Sequence, residues 1–395
     1  LIKKFKVMKK IFKNLMLLLQ IPLLFFSYYF FFLFKGFISK IKFVIGTDEI
    51  SRQIYGIGKV LDDSITVCLR KNKFFDLKYN FSINIDNRFL HFFCLIFYGP
   101  ILLGYLANKS DVFFYVWSRG FLFNRDYDFK FLKSKNKKII CFFCGDDIRS
   151  LKLKRSYMKN KNLDTGENYY TKIGENYYTK DDKYDDEKKF LALSADTYAD
   201  LIFSFPIDNM SYLKSKQYSW RLITGKEFFN KNHEKFSISK IKILHAPSPP
   251  IGFKGTPLVR AVIKKLQIEG YVFDYVELQN VKNKIVLEHL KSAHIVLNQF
   301  YSFIPGVFGI EAMASNCAVL MSADPSIDND IIEDSENAWL ITRYWEIYDN
   351  LKYLLDNPDK IKFYADKGHE YAKKYHTSDV MGEYLNNILK ENSII

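Results

Sequence analysis

Cysteine is scarce in this 395-residue chain, and its five copies, Cys68, Cys94, Cys141, Cys144 and Cys317, are odd in number and scattered. That excludes a disulfide framework and suits a reduced, cytoplasmic protein. Cys141 and Cys144 form a CxxC, but it sits at the apolar run Ile139 to Phe143 with no second pair, as buried strand residues would; metal or redox chemistry is the weaker reading. Glycine and proline, 18 and 10 residues, are too few for a collagenous or low-complexity chain. Acidic side chains are in deficit, 44 against 58 Lys and Arg, which leaves a net charge of +14. Such a surface attracts phosphate-bearing ligands, anionic lipid or nucleic acid. The sequence has no zinc-knuckle spacing, no RNP-like aromatic motif and no basic helix leading into heptads, so nucleic acid is not an expected partner.

What is abundant is apolar. Hydrophobic residues make up 48% and aromatics 17%, enough to fold a chain whose length predicts two α/β domains. From Asn14 to Phe34 no residue is charged, while Lys3, Lys4, Lys6, Lys9, Lys10 and Lys13 precede the run and Lys35, Lys40 and Lys42 follow it. The run is long enough to span a bilayer and too long for a cleavable signal. A span, a hairpin broken at Pro22 and a helix lying in the interface are all open. Since the Lys cluster and the remaining chain both read as cytoplasmic, a monotopic or re-entrant anchor is favoured; a buried helix of the first domain is the alternative.

From Ile41 short apolar runs alternate with amphipathic stretches. Strands are expected at Lys42 to Ile45, Ser64 to Leu69, Val112 to Val116, Lys138 to Phe143 and Ala199 to Phe203. Gly56-x-Gly58 lacks the third glycine of a dinucleotide fingerprint and reads as helix, which argues against a nicotinamide enzyme. TGENYYTK followed by IGENYYTK, within 165–180, is a polar tandem duplication expected to be a disordered loop. A second strand series follows at Ile241 to Leu244, Phe273 to Glu277, His294 to Leu297, Ala318 to Met321 and Ala338 to Ile341, consistent with a second parallel sheet. A last helix is expected from Ser378, capped at Thr377-Ser378.

Two stretches carry chemistry. In KILHAPSPPIGFKGTPLVRAVIKKL a strand ends at His245, and Lys254-Gly255-Thr256 opens a helix with Pro257 at its first position. Free amides and the positive dipole end would point at one spot beside the Lys254 charge, as a diphosphate cradle does; an ordinary capped helix with a surface lysine is the plain alternative. In LNQFYSFIPGVFGIEAMASNCAVL, Pro305-Gly306 and Gly309 allow close backbone approach, and Glu311 is placed in the first turn of a helix. There it either steadies the dipole or accepts the hydroxyls of a ribose. In the first half, Phe143-Cys144-Gly145-Asp146-Asp147-Ile148-Arg149 looks like a strand-end loop facing a crevice, with a salt-bridged loop as the equal alternative.

Together the HAP...KGT and GVFGIEAMA segments and the final helix after Tyr375-His376 resemble the donor domain of GT-B glycosyltransferases of the group 1, family 4 retaining type, over about residues 240 to 390. The resemblance implies an α/β fold of two Rossmann-like domains facing a cleft, here with an apolar N-terminal membrane-associated helix. It divides the chain into an anchor at 1–40, an acceptor domain at 41–222 with a disordered loop at about 160–188, a linker at 223–239, a nucleotide-sugar domain at 240–376 and a C-terminal helix at 377–395. It also implies that Lys254 contacts the donor diphosphate, that Glu311 holds the ribose, and that amides near Gly306, Phe308, Gly309 and Ile310 face phosphates or sugar beside Gly255 and Thr256. Asp147 is the candidate from the acceptor half. Phe303 stands where the family has the first acid of its E-x7-E pattern, Pro249 where an arginine is frequent, and Cys144 where a histidine often precedes the glycine.

The expected activity is metal-independent transfer of a sugar from a nucleotide-sugar donor, with no cofactor, to a glycan or lipid-linked acceptor at the cytoplasmic face of a bacterial inner membrane. Asp324 and Asp328 lack the Asp-x-Asp spacing of metal-dependent transferases, and no opposed carboxylate pair suits a glycosidase. The competing reading is a catalytically silent membrane-associated protein of the same fold that binds nucleotide or partners.

Overall fold

The computed structural model describes residues 2–70, 73–163, 184–237, 240–247 and 254–395, with side chains from residue 15 onward. The tandem duplication and Pro249 lie outside the described residues.

Two parallel sheets organise the chain. The first is built from β1 (Phe43–Thr47), β2 (Ser64–Cys68), β3 (Phe81–Ser82), β4 (Val112–Val116), β5 (Lys138–Phe142), β6 (Leu201–Ser204) and β7 (Tyr218–Ser219), in the order β3-β2-β1-β4-β5-β6-β7. Every residue of β1 and β4 is buried, as strands covered by helices on both faces require. The short edge strands β3 and β7 have no sequence signal of their own. The second sheet comprises β8 (Ile241–His245), β9 (Phe273–Glu277), β10 (Ile295–Leu297), β11 (Ala318–Met321) and β12 (Leu340–Ile341), in the order β12-β11-β10-β8-β9. Expected strand bounds differ from these by one or two residues.

In each sheet the winding direction reverses once, between β1 and β4 and between β8 and β10. The connections that leave such a pair go to opposite faces, so their loops part and open a crevice at the strand C-termini.

Helix α1 (Ile2–Leu33) runs unbroken through Pro22, which removes the hairpin from the three placements left open. Pro22 sits on the exposed side, where a missing N–H is tolerated. The chain continues through α2 (Gln53–Val60) to α3 (Arg88–Lys109), a second long apolar helix that sequence reading missed. α1 lies alongside α3 and buries Leu17 and Leu24 in the same core as Leu95, Leu103 and Phe113. Its polar side chains on that face are all matched. The Gln20 amide donates to Leu95 O at 3.1 Å and accepts from Phe123 N at 3.0 Å, Ser27 Oγ donates to Ile101 O at 2.8 Å, and Asn108 donates to Tyr28 O at 2.9 Å. Withdrawing α1 into lipid would strand those groups, so one face of residues 15–33 packs into the first unit's core.

The rest of the first unit carries α4 (Arg125–Ser134), α5 (Leu151–Asn160), α6 (Asp185–Tyr198) and the short α7 (Pro206–Asn209). Asp185 to Lys188, expected in the repeat loop, open α6 instead. Around the second sheet pack α8 (Thr256–Ile268), α9 (Asn283–Ser292), α10 (Gly306–Ala314), α11 (Ile347–Asp356) and α12 (Pro358–Tyr375). The last helix, α13 (Ser378–Glu391), starts where the Thr377 side chain caps Val380 N and then crosses back to the first unit. Met381 and Leu385 share a core with Ile54 and Ile57 of α2, and Tyr384 Oη donates to Ser219 O at 2.6 Å.

Candidate active site

The second sheet's crevice opens where β8 and β10 part, and the loops leaving these two strands start α8 and α10. Both helix starts lack a side-chain cap among the described residues. Their first amides therefore remain for a ligand or water, and the two dipoles converge at the point where a parallel sheet binds anions.

Gly255 precedes α8 at φ +69, a left-handed turn that lets the chain pivot out of the strand-end loop. The pivot is pinned from below by His245, buried at the end of β8. Its Nδ1 lies 2.7 Å from Leu297 O and its Nε2 2.9 Å from Thr256 Oγ1. Since a carbonyl only accepts, Nδ1 carries the proton and Nε2 accepts from the threonine. Burial lowers the His245 pKa to about 4, which keeps the ring neutral. Thr256 is thus occupied inwards, and only its amide can reach a ligand. Pro257 falls one residue inside the helix rather than at its first position.

Lys254 is held between the two loops. Its Nζ donates to Asn298 Oδ1 at 3.1 Å and Gln299 Oε1 at 3.0 Å, and lies 5.9 Å from the Phe308 ring centroid. The same two amides fix the second loop, Asn298 to Pro305 O at 2.7 Å and Gln299 to Ile304 O at 2.6 Å. Asn298 and Gln299 follow β10 directly in the sequence; their signal was a pair of amides at a strand end, and sequence reading passed over it. Gly309 is dictated by this clamp, because a Cβ there would meet Asn298 Nδ2 at 2.6 Å.

Glu311 is 4% exposed and lies in the sixth position of α10, which begins at Gly306. It is therefore past the first turn, and the expected dipole stabilisation does not apply. Burial raises its pKa to about 8, against the pull of Arg52, a bond from Asn283 and the charge of Lys254. Lys254 is pushed down to about 8 by burial, with Glu311 opposing. Both groups are buried and act on each other electrostatically. Ile310, next to Glu311, turns its side chain into a cavity at the domain junction, so only its backbone faces the crevice.

The first unit contributes Arg52, which sequence reading did not single out. It occupies φ +66 in the loop after β1, pairs with Glu227, and reaches Asn283 Oδ1 at 3.5 Å. Asp147 is fully engaged elsewhere. Its carboxylate accepts from the amides of Cys144, Gly145 and Ile148 at 2.8 to 3.2 Å, and it folds its own loop. The salt-bridged alternative describes the neighbouring residues well. Arg149 pairs with Asp146 and with the buried Asp208, which Lys154 and Ser302 also reach, at 3.1 and 3.0 Å. Phe303, at the position of the family's first acid, has Lys154 and Arg343 over its ring at 5.9 and 5.8 Å.

Two Asp-x-Asp tripeptides escaped the sequence reading. Asp126-Tyr127-Asp128 is structural, since Asp128 is buried under the amides of Phe121 and Leu122. In Asp328-Asn329-Asp330, Asp328 lines a cavity of about 50 Å³ between the units, where its Oδ2 and His376 Nε2 have no hydrogen-bond partner among the described residues. Asp330 accepts from Ser219 Oγ at 2.5 Å.

No family model matches the chain, and no curated protein matches it. Solved structures do. Sucrose-phosphate synthase from Thermosynechococcus elongatus aligns with 89% of this chain and 98% of its own at 12% identity, with a TM-score of 0.58. WaaG, a glycosyltransferase involved in lipopolysaccharide biosynthesis, covers 88% and 98% at 10% identity and 0.52. A putative UDP-N-acetylglucosamine 2-epimerase from Listeria monocytogenes covers 90% and 98% at 11% identity and 0.50. The chain therefore has the GT-B fold of two Rossmann-like units facing a crevice, shared by glycosyltransferases and 2-epimerases.

Proposed function

We propose that the protein is a glycosyltransferase that moves a sugar from a nucleotide-sugar donor to an acceptor hydroxyl. The observation that carries this reading is the convergence of Lys254, Glu311 and two uncapped helix starts on the β8/β10 crevice. A nucleoside diphosphate has the complementary parts. Its phosphates suit the Lys254 ammonium and the amides of Gly255, Thr256, Gly306, Phe308 and Gly309, and its ribose hydroxyls suit the Glu311 carboxylate. In the transfer, the acceptor oxygen bonds to the anomeric carbon as the bond to the β-phosphate oxygen breaks. The hydroxyl proton passes to the departing diphosphate or to water, and the new negative charge falls where Lys254 and the helix ends already point.

Retention of configuration follows from the family resemblance alone, and independence of metal from Lys254 and the helix starts standing where a cation would; both form part of the proposal, as does the cytoplasmic face of a bacterial inner membrane as location. Asp147 acts in this reading through the loop it folds. The test is a panel of nucleotide sugars with product analysis. Release of nucleoside diphosphate with a glycosylated product, lost in Lys254→Ala, is the expected result. A donor converted to its epimer would replace transfer by epimerisation, and nucleotide binding without turnover would leave the silent protein.

A further inference from the structure

The outward faces of α1 and α3 have no place in the chemistry above. On α1, buried Leu17, Gln20, Leu24 and Ser27 recur at helical spacing, and the opposite positions, among them Leu18, Phe26 and Phe30, are open, with Phe26 69% exposed. On α3 the exposed positions Phe89, Phe93 and Phe97 repeat every four residues. A surface helix of a water-soluble protein carries polar side chains there. Contacts at 20 with 95, 27 with 101 and 28 with 108 show that the two helices lie side by side and run in the same direction, and each adds an apolar stripe to the surface of the first unit. Neither helix contains an aspartate or glutamate. A single exposed aromatic needs no explanation, but a two-helix apolar face does.

The charge around this face says what covers it. α3 leads into β4, so its first turn lies at the strand C-terminal edge, beside the crevice of the first sheet. There His91 is within electrostatic reach of Arg70 and Asp48. Asp48 in turn binds Arg70 at 2.6 Å and Arg119 at 3.7 Å, two cations on one carboxylate. With Arg88 beginning α3 and Lys35 following α1, cations stand at both ends, and at the α3 start Arg70, Arg88 and Arg119 outnumber Asp48 and Asp86. Apolar side chains backed by a basic rim match the acyl boundary and the phosphates of an anionic bilayer.

We propose that α1 and α3 together dock the protein on an anionic membrane, α1 lying along the surface rather than crossing, and that Arg70 and Arg119 meet lipid phosphate at the mouth of the first crevice, so that the acceptor is a membrane lipid with an anionic headgroup. The acceptor assignment rests on the transferase reading; the docking does not. The test is flotation of the full chain with vesicles of phosphatidylcholine alone or mixed with phosphatidylglycerol. The expected result is co-flotation with the mixed vesicles, weaker with the neutral ones, and a vesicle-bound fraction at least about tenfold lower for Phe93→Asp/Phe97→Asp. Unchanged calorimetric binding of UDP would show that this variant is folded. Arg70→Gln/Arg119→Gln is expected to erase the preference for anionic vesicles. Flotation untouched by the Phe93/Phe97 variant overturns the docking face, as does a stable soluble dimer that the same variant splits. If flotation behaves as expected and sugar from the donor enters the organic-extractable lipid, the acceptor class stands. Transfer only to soluble glycans overturns that class and leaves the docking, whereas flotation without any donor turnover refutes the transferase.

Discussion

Lys254 and Glu311 are two buried ionisable side chains that act on each other, each moved toward neutrality by desolvation. An incoming diphosphate needs the ammonium and a ribose diol needs the carboxylate, so nucleotide binding selects the doubly charged state. Each pKa is about 8, and affinity for UDP is therefore expected to peak near pH 8. Below the peak a proton must leave Glu311; above it Lys254 loses its charge. Calorimetry from pH 6 to 9 checks this, and Glu311→Gln should abolish the acid limb while keeping the alkaline one. Lys254→Gln should weaken UDP by about tenfold to a hundredfold, the scale of a charge-assisted hydrogen bond. Both positions stood out in the sequence, a lysine before a glycine-opened helix and a glutamate inside GIEAMA, each in the segment that follows a strand of the second sheet. Glu311's depth in α10 did not, since helix starts are set by the turn geometry at Gly306 and not by the apolar run that follows.

At the scale of elements, the donor crevice is two loops sewn together by Asn298 and Gln299. Asn298→Ala removes the bond to the Pro305 carbonyl and one partner of Lys254 together. It should cost about 1 to 2 kcal/mol of stability and lower UDP affinity by more than its own lost contact, as thermal unfolding and calorimetry would show. Gly309→Ala tests the same clamp sterically and should loosen the loop in the same direction. Most strands were visible as apolar runs because parallel strands buried on both faces show no alternation. The edge strands β3 and β7 are two residues each and carry no periodicity. α3 went unread for a different reason. It is apolar all round, so its pattern shows no face; the docking of α1 accounts for one side of it only.

Across the whole molecule, buried carboxyl groups set the response to pH. Glu49, Asp128 and Asp328 are each raised to about 7, chiefly by burial. A folded pKa above the unfolded one means stability present at low pH and lost as pH rises through 7. His245 and His376, lowered to about 4 by burial, act oppositely, and most of their contribution is gained below about pH 7. Glu311, raised to about 8, adds to the carboxyl loss, and Lys254 and the histidines offset only a small part of it; between pH 6.5 and 8 the unfolding free energy should fall by about 3 kcal/mol, measured by denaturant titration at both pH values. A stability that rises over this interval would contradict the burial of these groups. Two-unit architecture was legible from the two strand series, whereas the crossing of α13 was not, because nothing local marks which unit a terminal amphipathic helix will cover.

That crossing has a consequence for biogenesis. The groove over Ile54 and Ile57 is made early in translation and filled by Met381 and Leu385, which leave the ribosome after the rest of both sheets. The half synthesised first is thus completed last, and during elongation it must wait with an open apolar groove. A nonsense codon just before Ser378 would spare every residue of the nucleotide crevice and yet deliver a nascent product fit for proteolysis, its fault lying in the domain farthest from the lesion along the chain.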